Sequence, residues 1–305
     1  MHILSSEQFD RAELEELFMR TDQIQKDFET NRKALAKRHR GKQATLLFYE
    51  PSTRTRLSFA HGANHLGMSV NSTENAREFS SAAKGETIED TIRVLNEYHP
   101  DVVIIRHHET GEVAKAAAVS NVPVINAGDG KGEHPTQSLL DCYTIWKKYN
   151  KITGLKIVIG GDLLHSRTAR SLAKTLACFE GNTLIFNSIP ELAMADDIKE
   201  YLQDKGVKFE EVGDMKQAFT GADVVYWTRL QKERLPEGIK INQSFVIDEK
   251  AMNYLPKHAI VMHPLPRVDE ITKQVDADPR AHYFKQAGNG MFVRMALLDQ
   301  ILSKS

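Results

Sequence analysis

The stretch "ATLLFYEPSTRTRLSF" (residues 44–59) decides how the fold is read. It opens on a continuous apolar run, breaks at Glu50-Pro51, and resumes at Ser52 with a helix-forming segment whose first turn carries Arg54 and Arg56. A short apolar run without polar alternation is the pattern of a strand buried on both faces, the usual condition in parallel sheets. Ser52 suits an N-cap. Arginines are disfavoured in a first turn, because the helix N-terminus already carries partial positive charge. Strand, exit and cation-bearing helix start therefore predict a parallel α/β unit that receives an anion at the carboxyl edge of its sheet.

The same kind of run recurs at "DVVII" (101–105), "VPVI" (122–125), "KIVI" (156–159), "TLIF" (183–186), "DVVYW" (223–227), "FVI" (245–247) and "AIVM" (259–262). Helical patterns lie between them: Leu172, Leu176 and Phe179 share a face, as do Met291, Met295, Leu298 and Leu302. This alternation predicts an α/β chain of two doubly wound parallel-sheet domains linked by helices. The polar stretch "KKYNKITG" (147–154) places the boundary between a domain over residues 1–150 and a second over 151–285, with a closing helix over 286–305. An opening helix, with Leu14, Leu17, Phe18, Ile24 and Phe28 inward, is expected to run through the basic "RKALAKRHRGK" (32–42) and stop at Gly41. Cations suit a helix C-terminus, so the run is read as a helix end and not as a nucleic-acid patch.

Composition narrows the function. The chain has 305 residues, 41% hydrophobic and 27% charged, and a formal net charge of −1. No global field draws it to nucleic acid or to an anionic membrane, so any anion site is local. Two cysteines, Cys142 and Cys178, exclude a disulfide framework and a cysteine-built zinc site. The twelve histidines are scattered along the chain, and no metal site is expected. No apolar run approaches the roughly 20 residues needed to span a bilayer. The acidic opening "MHILSSEQFDRAELEELF" lacks a signal-peptide core, and a reducing, cytoplasmic location is expected.

The exit of each apolar run is the place to look for a ligand. Arg54, Arg106, His134, Arg167, Arg229 and His263 stand at successive exits, which describes a pocket for anions. At the first, Ser52, Thr53 and Thr55 add hydroxyls to the free N–H groups, and Arg54 offers a fork suited to phosphate oxygens. The G-K-[ST] ending of a P-loop is absent, which argues against a nucleoside triphosphate. Gly160-Gly161 hints at a dinucleotide turn, but G-x-G-x-x-G is missing. Arg229 and Gln231, two apart in an extended segment, face one way and can clamp a carboxylate; a solvated face is the plainer reading. His134 and Gln137, three apart at a helix start with Pro135 at its first position, can face one ligand. "HPLPR" (263–267) traps Leu265 between prolines, stiff enough to present a backbone carbonyl, with a cis bond conceivable at Pro266.

Ser-Thr-Arg-Thr-Arg (52–56), His-Pro-Thr-Gln (134–137) and His-Pro-Leu-Pro-Arg (263–267), in that order and spacing, resemble the catalytic chains of the aspartate carbamoyltransferase family. "KGETIEDT" (84–91), "NAGDG" (126–130), "TRLQKER" (228–234), "VDEI" (268–271) and "QAGNGMF" (286–292) extend the likeness nearly end to end. The resemblance implies transfer of a carbamoyl group from carbamoyl phosphate to the amino group of L-aspartate, an early step of pyrimidine synthesis. It implies carbamoyl phosphate on the first domain, aspartate on the second, and a closing helix that returns to the first.

By the same resemblance, Ser52, Thr53, Arg54, Thr55 and Arg106 bind the phosphate. Thr55, Arg106 and His134 donate to the carbamoyl oxygen. Gln137 and the Leu265 carbonyl, next to Pro266, hold the carbamoyl NH2. Arg167, Arg229 and Gln231 clamp the aspartate carboxylates. The segment 72–86 is read as a long loop that carries Ser80 and Lys84 into the neighbouring subunit's site, as in a homotrimer. No metal or organic cofactor is implied. The resemblance leaves open a zinc-containing regulatory chain in a larger complex. Ornithine carbamoyltransferase is the nearest rival, but Pro264 stands where that family usually has Cys, and Arg229 repels a cationic substrate. A non-enzymatic sensor of phosphorylated metabolites is the rival from another class, and a turnover assay separates it.

Overall fold

The run at 44–48 becomes β1 (Gln43–Phe48) in the computed structural model, which describes residues 1–130, 132–231 and 245–303. With β2 (Ser69–Thr73), β3 (Val102–His107) and β4 (Val124–Asp129) it forms an all-parallel sheet in the order β2-β1-β3-β4. Burial follows that order: β3 is buried throughout, whereas the edge strand β2 is largely exposed. A second parallel sheet, in the order β7-β6-β5-β8-β9, comprises β5 (Lys156–Gly160), β6 (Thr183–Asn187), β7 (Lys208–Glu211), β8 (Val224–Trp227) and β9 (Ile260–Met262).

The principal helices are α1 (Arg11–Thr30), α2 (Thr53–His65), α3 (Ile88–Glu97), α4 (Glu112–Val119), α5 (Pro135–Tyr149), α6 (Arg167–Leu176), α7 (Asp196–Asp204) and α8 (Tyr283–Ser303). The chain divides into Met1–Leu140 with Gly288–Ser305, and Asp141–Ala287. The division falls inside α5, ten residues before the position read from the polar stretch, and again inside α8. Each unit has its own core. Leu47, Ile92, Val103, Ile105 and Val113 belong to the first, and Val158, Phe219, Val225, Trp227 and Val261 to the second. In the first unit, buried Asp299 of α8 accepts from Arg20 Nη1, and Arg38 Nε and His39 Nε2 lie as close to it, each at 2.8 Å.

Three expectations need correction, and one strand was not anticipated. "FVI" (245–247) is not a strand: Ile247 is buried and makes a single bridge with Ile271, because its N–H is taken by the Glu270 carbonyl. Strand β7 carries no apolar run, since three of its four residues are exposed at a charged sheet edge. The opening helix stops at Asn31, well short of Gly41. Asn31 leaves helical backbone at φ −148°, ψ 54°, and its side chain accepts from Ala34 N–H to start a separate short helix, Arg32–Leu35. Segment 72–86 is no plain loop. It folds into helical turns at Ala76–Phe79 and Ser81–Lys84, because Ser80 caps the second turn and Gly85 closes it at φ +93°. Among the described residues, no helix is long and apolar enough to cross a membrane.

Candidate active site

Two reversals of strand order position the chemistry. In the first sheet the chain builds outward from β1 to β2, then returns to the other side of β1 with β3; in the second it builds from β5 to β7, then returns beside β5 with β8. Helices following the two central strands part at such a reversal, opening a crevice at the carboxyl ends. The crevices lie at the exits of β1 and β3 and of β5 and β8, where the arginines stand.

At the first reversal, Ser52 is the N-cap of α2, and Thr53, Arg54 and Thr55 form its first turn. The Ser52 hydroxyl makes no capping bond, so the first-turn N–H groups keep their capacity for a ligand. The two arginines part here. Arg56 Nη2 donates to Glu74 Oε2 at 2.6 Å, whereas Arg54 lies near Arg106. Arg54 is exposed, yet partial desolvation and then the Arg106 charge pull its pKa below the ordinary value. Both cations are favoured by an arriving anion.

Arg106 is buried near the end of β3, level with Phe48 of β1. Its Nε donates to Glu50 Oε2 at 3.1 Å, and Nη2 lies equally close to that oxygen. A bulge aims the side chain. Ile105 pairs with Asn126 and His107 with Asp129, so Ala127 and Gly128 together oppose Arg106. Gly128 has φ +130°, and a Cβ on it would lie 3.1 Å from Arg106 Nη1. The glycine leaves room for the guanidinium.

Beyond the neighbouring β4 exit, His134 is buried just before α5, and Pro135 opens the helix. Gln137 N–H donates to the His134 carbonyl at 2.9 Å, which places Gln137 half-buried in the first turn. Arg294 of α8 braces both helix starts. Its Nη1 donates to Ser58 Oγ at 2.9 Å, Nη2 reaches Thr136 Oγ1 at 3.4 Å, and the guanidinium lies over Phe59.

At the second reversal, Gly160-Gly161 serves strand packing. A Cβ on Gly160 would sit 2.1 Å from the Trp227 ring, and one on Gly161, at φ +96°, 2.4 Å from the Thr228 carbonyl. Thr228 Oγ1 is 3.1 Å from the Gly160 and Asp162 carbonyls and draws the two exits together. Buried Asp162 accepts from His165 N–H at 2.9 Å, shaping the turn into α6. There Ser166 caps Ala169 N–H at 3.3 Å and Arg167 is the first helical residue. Arg229 and Gln231, both half-buried, flank buried Leu230 beyond β8, as expected of an extended segment with one inward residue. Residues 232–234 of "TRLQKER" lie outside the described residues.

Leu265 and Pro266 lie beyond β9, the neighbour of β8, and their peptide bond is cis. Leu265 has φ +54°, a left-handed conformation that costs a non-glycine residue about 1–3 kcal/mol. A bond from its N–H to His263 Nδ1 at 2.7 Å helps hold it there. Ser80 and exposed Lys84 lie past the exit of edge strand β2, in the segment that also exposes 81% of Phe79. Among the described residues, no three His, Cys, Asp or Glu side chains are grouped to hold a metal ion.

Glu50, Gly128 and Arg294 escaped the sequence reading, and His263, expected to line the anion pocket, is instead fully buried against Glu270. Glu50 had a signal, an acid set among cations at a strand exit. Gly128 and Arg294 had none, because their roles depend on residues 22 and 158 or more positions away.

Comparison with known proteins identifies the family. Residues 1–147 match the model of the aspartate/ornithine carbamoyltransferase carbamoyl-P binding domain, and residues 153–301 that of the Asp/Orn binding domain. The chloroplastic aspartate carbamoyltransferase of Oryza sativa is 47% identical, over 98% of this chain and 84% of that protein. The catalytic subunit of M. Jannaschii aspartate transcarbamoylase superposes with a TM-score of 0.93 at 40% identity, covering 100% of this chain and 98% of that one. Aspartate transcarbamoylase from Trypanosoma cruzi, in complex with carbamoyl aspartate and phosphate, gives 0.89 at 38% identity, covering 98% and 95%.

Proposed function

The chain belongs to the aspartate/ornithine carbamoyltransferase family, and from that premise we propose how its residues transfer the carbamoyl group of carbamoyl phosphate to L-aspartate. The observation that carries the proposal is the pair of strand-order reversals, each furnished with guanidinium groups, one for a phosphate and one for carboxylates.

At the first reversal, the α2 N-terminus with Ser52, Thr53, Arg54 and Thr55 takes the phosphate, and Arg106 exchanges its Glu50 partner for substrate oxygens. Thr55, Arg106 and His134 donate to the carbamoyl oxygen, and Gln137 with the Leu265 carbonyl holds the NH2. At the second, Arg167, Arg229 and Gln231 hold the aspartate carboxylates. The neutral amine then attacks the carbamoyl carbon; a C–N bond forms, the C–O bond to phosphate breaks, and phosphate leaves with the amine's proton. Negative charge grows on the carbamoyl oxygen meanwhile, so donors fixed around it lower the barrier. The product, N-carbamoyl-L-aspartate, places the enzyme in pyrimidine synthesis.

We further propose a homotrimer in which Ser80 and Lys84 complete a neighbour's site. Exposure of Lys84 and Phe79 on an ordered, capped segment supports this, since a large exposed aromatic commonly marks an interface. Phosphate release with aspartate but not with ornithine tests the activity. Binding of carbamoyl phosphate without turnover would favour the sensor. Mixing two inactive variants, Arg54→Ala and Lys84→Ala, after dissociation and reassociation tests the sharing. One site in each mixed trimer regains both groups, so about one quarter of wild-type activity returns. If each subunit furnishes its own Lys84, the mixture stays inactive.

A further inference from the structure

We propose that His263, as its neutral Nε2–H tautomer, is the positioning residue that sets the backbone at Leu265; its bearing on substrate rests on the proposed function, in which the Leu265 carbonyl holds the carbamoyl NH2. Between His263 and Arg267 the chain has one backbone donor. Pro264 and Pro266 have no N–H, which leaves Leu265. That N–H donates to His263 Nδ1 at 2.7 Å. A ring nitrogen that accepts carries no proton, so the proton of the neutral ring is on Nε2. Nε2 stands 2.8 Å from Glu270 Oε1, and both side chains are fully buried. Glu270 Oε2 accepts from the N–H groups of Val268 and Asp269 at 3.2 Å each, so the carboxylate closes the loop around the imidazole.

The His263 backbone is fixed from the other side. Its N–H donates to Gln286 Oε1 at 2.8 Å, and Gln286 Nε2 donates to Asp141 Oδ1 at 2.6 Å. Asp141 and Gln286 each lie within one residue of a place where the chain passes between its units. The imidazole therefore joins this buried anchor to a two-proline segment that has no other backbone donor. A protonated imidazole would present N–H to N–H at Leu265 and release it.

Three measurements on the intact enzyme test the inference. The imidazole ¹⁵N shifts of wild type should show Nδ1 bare and Nε2 protonated, and they decide the tautomer even if no variant folds. His263→Asn places an oxygen where Nδ1 stands, whereas His263→Gln reproduces only Nε2. Leu265 amide exchange should stay slow in the Asn variant and speed up by about tenfold or more in the Gln variant. The KM for carbamoyl phosphate should rise with exchange in the Gln variant, and kcat in the Asn variant should remain the nearer to wild type. A protonated Nδ1, or equal Leu265 exchange in both variants, overturns the inference. Faster exchange with unchanged carbamoyl phosphate affinity upholds the imidazole's hold on the loop and removes the Leu265 carbonyl from the substrate site.

Discussion

The two strand-order reversals present their arginines at the edge of a parallel sheet by different means. At the first, the cation is inside: Arg106 is buried on β3, held by Glu50 and given room by Gly128. At the second, glycines at the β5 exit let the Thr228 segment come close, and the arginines are only half-buried, on a helix start and an extended segment. A buried, pre-aimed guanidinium loses little freedom when charge develops beside it, which suits a transition state. A half-exposed pair gives up hydration and rotamer freedom on binding, which suits recognition. On the proposed function, the first crevice therefore serves rate and the second the choice of substrate.

Replacing Arg106 should have the largest effect. Arg106→Ala should lower kcat by about 10²–10³, the loss expected for one removed transition-state donor. Arg106→Lys should recover little, because an ammonium cannot reproduce the guanidinium fork. Near-normal phosphate release from the alanine variant would erase the distinction between the crevices. Arg229→Ala should act on recognition. A hydrogen bond to a charged group contributes about 1.5–3 kcal/mol, so the KM for aspartate should rise about 10- to 150-fold while that for carbamoyl phosphate barely moves. Equal changes in both constants would show that the halves are not separate.

Gly128→Ala sharpens the comparison from within the first crevice. The added methyl needs a φ that alanine rarely adopts and crowds Arg106, so stability should fall by about 1–3 kcal/mol in a denaturant titration. Turnover should fall more than tightness of aspartate binding. An active, stable variant would mean that the bulge does not aim Arg106. The smallest effect belongs to Arg54→Ala without ligand. Removing a cation from the α2 N-terminus should leave stability unchanged or raise it by about 0.3–1 kcal/mol, even as turnover is lost. A clear loss of stability would make Arg54 a structural cation and exclude it from the phosphate cradle.

Much of this was legible in the linear chain, because it depends on neighbours along it. Apolar runs marked β1, β3, β4, β5, β6, β8 and β9, since burial on both faces removes polar residues from a strand. The exits came with them, and Ser166 and Pro135 began their helices where local backbone chemistry required. What the linear chain left undecided depends on contacts between distant residues. The reading of "STRTR" assigned Arg54 to the anion but gave Arg56 no partner, and that partner is Glu74, 18 positions on. Gly128 acquires its purpose only against Arg106, and the His263 ring its tautomer only when the loop closes on Glu270. Edge strand β7 and the turns at 76–84 lacked an apolar signature, because a neighbouring strand or a cap holds each without burying it. Burial and backbone preference act residue by residue and are written in sequence order. Aim, pairing and proton position arise from packing, and the folded chain alone determines them.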